Sequence, residues 1–157
     1  MNKRLVKQFP PSEPCSCEIC LQYCQRPGWW TVAEAAKAIE AGYAQRMMME
    51  ISPEFTFGVL SPAFKGNEAD LAVQINSKNG CTFLRENLCE LFGKGFQPLE
   101  CRFCHHTRKD LGNRCHLALE QDWHSQAGQK LVIHWLKLTK VFDKYGWQVL
   151  TKAQFPG

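Results

Sequence analysis

The sequence predicts an α+β fold, mainly helical: a small metal-centred domain with two long helices and a short antiparallel β-hairpin. Three observations lead there. Nine cysteines in a chain of 157 residues require a chemical reason. Two stretches, one opening at Thr31 and one near Asn113, repeat apolar residues at helical spacing. Between them, two β-compatible runs flank the three residues "REN".

Along the chain, residues 1–14 read as a flexible basic arm, with Lys3, Arg4 and Lys7 ahead of Pro10, Pro11 and Pro14. Residues 15–145 form the expected cysteine-cluster domain, and 146–157 a C-terminal tail. The first helix starts at Thr31, where Thr31 and Glu34 hold the S/T-x-x-E spacing of a capping box. Val32, Ala36, Ile39, Tyr43 and Met47 continue it, and Pro53 should end it. Met47 is then a core residue, with Met48 and Met49 partly exposed. "FTFGVL" and "LAVQI" suit short strands around the loop "SPAFKGNEAD". In the hairpin, Leu84 facing Leu88 puts Cys81 and Cys89 on one face as diagonal neighbours. "GKGFQPLECRFCHHTRKDLGN" reads as a loop. The second long helix runs from Asn113 towards Tyr145, with Cys115 in its first turn and Gly128 as a bend or interruption.

Composition excludes several classes. Without an apolar run of signal or membrane length, a secreted disulfide scaffold is disfavoured, and a reducing cytoplasm with bound metal is the expectation. A net charge of +4 and pI near 8.6 fall short of a dedicated basic nucleic-acid domain. The expected partner is another protein, with nucleic acid less favoured and no membrane.

The cysteines carry the chemistry. Cys15, Cys17, Cys20 and Cys24 fall within ten residues, in the pattern C-x-C-x2-C-x3-C. Cys17–Cys20 and Cys101–Cys104 have the C-x-x-C spacing that lets both sulfurs reach one metal around a tight turn. Two such pairs, far apart in the chain, suit a four-cysteine zinc site or an iron–sulfur cluster, which spacing does not separate. A redox pair would follow a strand and open a helix, which neither does. His105 or His106 could replace a cysteine, at most one of them because adjacent side chains diverge, and His116 carries less weight. Arg102, Arg108, Lys109 and Arg114 would offset the negative charge of a thiolate-bound centre. Glu90, Glu100 and His105 are candidate acid–base groups.

The stretch "GCTFLRENLCELFGKGFQPLECR" resembles a signature of the zinc- or iron-chelating cysteine-cluster family named for its CxxCxxCC pattern. Shared elements are C-x-F-L, a cysteine followed two residues on by leucine, and P-L-x-C-R. The "PGWWT" run into a helix and the later Cys115 also fit, so the resemblance covers residues 15–125. It implies metal ligation by Cys81, Cys89, Cys101 and Cys115, and by Cys15, Cys17, Cys20 and Cys24 as a leading group. The family closes that group with adjacent cysteines, whereas here Tyr23 precedes Cys24. Cys104 has no counterpart and is the expected spare thiol.

Three functions follow. The first is a cytoplasmic cysteine-ligated zinc or iron–sulfur protein acting as a binding or accessory module. The second is an iron–sulfur enzyme for redox chemistry or protein modification. The third is a zinc-stabilised nucleic-acid or protein adaptor.

Overall fold

The computed structural model describes residues 17–103 and 112–145. The expected arm and tail, and with them Cys15, Cys104 and His105, lie outside the described residues. Helix α1 spans Glu18–Cys24 and α2 Val32–Glu40; strands β1 (Met47–Ile51), β2 (Gly58–Pro62) and β3 (Asp70–Leu71) follow. The hairpin strands β4 (Leu84–Arg85) and β5 (Leu88–Cys89) lead to helices α3 (Leu99–Phe103), α4 (Gly112–Trp123), α5 (Gln126–Leu138) and α6 (Val141–Tyr145). The architecture is α+β, as predicted, but the two long helices are not there.

The first of them stops early. The capping box at Thr31 is present in both directions: Glu34 N–H donates to the Thr31 hydroxyl and Thr31 N–H to the Glu34 carboxylate. The helix nevertheless ends at Glu40, and Gly42 follows at φ +94°. Glycine takes that left-handed geometry without steric cost, so the chain turns out of the helix there. Met47 to Met49 then form a strand, and all three are fully buried. β1 pairs antiparallel with β2 and parallel with β3, giving the order β2-β1-β3. Because both faces of β1 are covered, its apolar residues run on without alternation.

The second long helix is three shorter ones. It breaks at His124–Ser125, where Ser125 caps α5 by accepting the Gly128 N–H at 3.1 Å. Gly128 is inside α5 and is not the break. It is required by packing: a Cβ there would lie 2.4 Å from the Trp123 carbonyl oxygen.

The hairpin register also differs from expectation by one residue. Leu84 pairs with Cys89 and Arg85 with Leu88, across a two-residue turn of Glu86 and Asn87 at φ +50° and +66°. Cys81 precedes a separate turn, closed by Leu84 N–H to the Cys81 carbonyl at 3.1 Å. Strand alternation therefore does not relate Cys81 to Cys89, and the expected shared face is withdrawn. The "loop" at 99–103 is the helix α3, and Cys17–Cys20 is a helical spacing rather than a tight turn, since Leu21 N–H bonds the Cys17 carbonyl.

The core is held by aromatic residues with satisfied polar ends. Trp30, Trp123 and Trp135 are fully buried. Their indole N–H groups donate to the carbonyls of Phe96, Trp30 and Ala44 at 2.6, 2.7 and 2.8 Å. A buried indole is stabilising when its N–H is paired in this way. Leu138, at the end of α5, is half exposed. Among the described residues, no helix is long and apolar enough to cross a membrane.

Replacing Gly128 with alanine should lower stability by about 1–3 kcal/mol through overpacking against backbone, more than the roughly 1 kcal/mol gained in helix propensity. Urea unfolding measures the balance, and a stabilised variant would contradict this packing.

Candidate functional site

The site is assembled around one junction, between residues 27–31 and the start of α3. Gly28 N–H donates to Cys101 Sγ at 3.1 Å and Trp29 N–H to Glu100 Oε1 at 3.2 Å, while Glu100 N–H returns to the Trp29 carbonyl at 3.3 Å. No side chain fits at position 28, because a Cβ would lie 2.7 Å from the Cys101 amide nitrogen and 2.8 Å from its sulfur. A few residues away, Glu34 accepts the Leu99 N–H at 3.1 Å and is ion-paired to Arg102. Burial pushes the Glu34 carboxyl up, opposed by the Arg102 charge and the amides of Thr31 and Leu99. Arg102, expected to offset a metal centre, thus serves Glu34.

This junction draws cysteine-bearing segments towards one another. Residue 25 follows α1 directly, and its side-chain oxygen lies 3.0 Å from where a Cβ on Gly80 would be. The segment from Gln25 to Gly28 therefore touches the neighbour of Cys81 at one end and Cys101 itself at the other. Cys20 is buried and Cys17 exposed; Cys24 closes α1, its side chain outside what is described.

Backbone amides point at the sulfurs. Cys81 Sγ accepts the Phe83 N–H at 3.5 Å, and Cys101 Sγ that of Gly28. Burial pushes the Cys89 thiol up, opposed by the nearby amides of Leu91 and Phe92. Amides two and three residues beyond a cysteine favour its thiolate, the form that binds metal. Cys115 is fully buried with Leu99 and Leu119. Among the described residues, no three His, Cys, Asp or Glu side chains form a group that could hold a metal ion.

Beside Cys101 opens a cavity of about 890 Å³. Met49, Ile51, Val59 and Leu71 of the sheet strands line it, and its wall also carries Glu50, Glu100, His116 and Glu120. Glu50 Oε2 accepts the Trp29 indole N–H at 2.5 Å, and burial pushes its carboxyl up. His116 sits between two carboxylates, Nδ1 at 2.9 Å from Glu100 and Nε2 at 3.3 Å from Glu120, with its ring centroid 4.3 Å from that of Trp29. The hydrogen bond to Glu100 raises its pKa.

Of the expected acid–base groups, Glu100 is in this wall. Glu90 is not: it is paired with Arg46 and Arg85, and the hydrogen bonds from Arg46 hold its carboxyl low. Glu50 and Glu120 escaped sequence reasoning. Glu50 lies in a strand and Glu120 on a helix, with no motif joining them. No family model, curated protein or solved structure matches the chain.

A Gly28→Ala substitution should cost about 1–3 kcal/mol, since the new methyl meets backbone as well as sulfur. Chemical denaturation reads the loss; unchanged stability would mean that residues 28 and 101 are not in contact.

Proposed function

We propose that this chain is a cysteine-ligated metal protein, binding zinc or an iron–sulfur cluster, and that it acts as a binding or accessory module. The observation that carries the reading is the amide of Gly28 directed at Cys101 Sγ across a contact too close for any side chain. Hydrogen bonds from backbone amides to cysteine sulfur are the outer-shell arrangement that tunes a metal–thiolate site. Cys81 has the same kind of donor, the Phe83 amide. The donor set is chemically apt, because soft thiolates select zinc and iron–sulfur centres over hard cations.

Cys101 and Cys81 would supply the ligands flanking the Gln25–Gly28 segment, with Cys17, Cys20 and Cys24 adjoining through α1. Cys89 and Cys115 complete the ligand set that the family resemblance implies. Such a centre would tie α1, the hairpin and α3 together; in that role the metal is part of the fold.

Protein purified without oxygen should contain zinc or iron in stoichiometric amount. Broad visible absorption marks an iron–sulfur cluster, and a colourless zinc protein the other branch. Cys101→Ser should lose both metal and stability, since ligation and folding are coupled. Full metal content in that variant would remove Cys101 from the ligands, and material with neither metal would refute the proposal.

A further inference from the structure

We infer that the cavity beside Cys101 takes a basic side chain, lysine or arginine, presented by a protein partner on an apolar segment. This deepens the module reading and rests on it for the choice of a protein partner; it is independent of which metal the cysteines hold.

The chemistry of the cavity selects a cation. The chain as a whole is positive, at +4, yet among the described residues Glu50, Glu54, Glu100 and Glu120 line this space against Arg26 and His116. Both of those are already engaged: Arg26 donates to Gln74 at 2.9 Å, and His116 lies between Glu100 and Glu120. Glu50 is left with acceptor capacity. Its Oε2 takes the Trp29 indole N–H, and among the described residues no donor reaches Oε1. A half-buried carboxylate with an oxygen open to the cavity can take a charged donor there.

The size and the mouth select a side chain over a small ion. A volume of about 890 Å³ lies in the range of pockets that enclose drug-sized ligands, so a lone cation would leave it largely filled with water. The apolar lining residues Met49, Ile51, Val59 and Leu71 offer contacts for the methylene stem of lysine or arginine. Large apolar residues are exposed next to lining residues. Phe55 follows Glu54, and Val73 and Ile75 flank Gln74; they are 59%, 46% and 69% exposed. Exposed apolar groups beside a polar cavity mark a surface that another protein covers.

The test is a calorimetric titration of the full chain, purified without oxygen and with its metal content measured in the same sample. The ligands are a capped leucine-lysine-leucine peptide, the same peptide acetylated at the lysine amine, and the diamine cadaverine. The lysine peptide should bind and its acetylated form should not. Glu50→Gln should weaken binding about tenfold or more, the loss of one charge-assisted hydrogen bond. Equal binding of the acetylated peptide, or unchanged affinity in Glu50→Gln, overturns the inference. Cadaverine binding as tightly as the peptide overturns the protein partner. If Glu50→Gln does not fold, the rim variants Glu54→Gln and Ile75→Ser decide: weakened binding supports the inference and undiminished binding overturns it. Metal present without peptide binding defeats this inference alone, whereas peptide binding without metal defeats the reading of the cysteines.

Discussion

The buried carboxylate of Glu34 is the constraint on which the rest of the arrangement depends. It closes the capping box of α2, accepts the first amide of α3 and pairs with Arg102. One side chain thus fixes the start of one helix against the start of another. Charges removed from water are costly unless paired, and removing one partner of such a set costs about 3–5 kcal/mol. That is a large part of the roughly 5–15 kcal/mol that holds a domain of ordinary stability together. Through this tie, Glu100 and Cys101 are held against Gly28 and Trp29, and the cavity acquires its wall.

The same junction explains why two chemistries are neighbours. Cys101 belongs both to the sulfur-bearing contact with Gly28 and to the lining of the cavity. Gln22, on α1 between two of the leading cysteines, lines the cavity as well. A centre held by those cysteines would therefore stiffen the cavity wall, and a ligand in the cavity would press on the segment that carries the sulfurs. A metal held by those cysteines and a partner in the cavity would both bear on residues 22–29 and 100–101.

What the sequence made legible was local. The capping box at Thr31 and the presence of a hairpin could be read from adjacent residues. Where it misled, a signal common to two structures had been assigned to one. Val32, Ala36, Ile39, Tyr43 and Met47 recur at helical spacing, but Ala41-Gly42 is also a helix stop, and burial of all three methionines in β1 outweighed periodicity. The hairpin slipped by a residue because Glu86 adopts a left-handed conformation that its type rarely signals. α3 is hard to read from the sequence because Pro98 suits a loop as well as a helix start. The cavity was invisible because its wall joins Glu50, Glu100 and His116, positions that only the tertiary fold brings together.

The central claim is that sulfur from distant parts of the chain binds one inorganic centre. X-ray absorption at the edge of whichever metal co-purifies tests it most directly. The account predicts a dominant shell of sulfur neighbours, at about 2.3 Å if the metal is zinc. A shell of nitrogen and oxygen alone, or no metal edge above background, would contradict it.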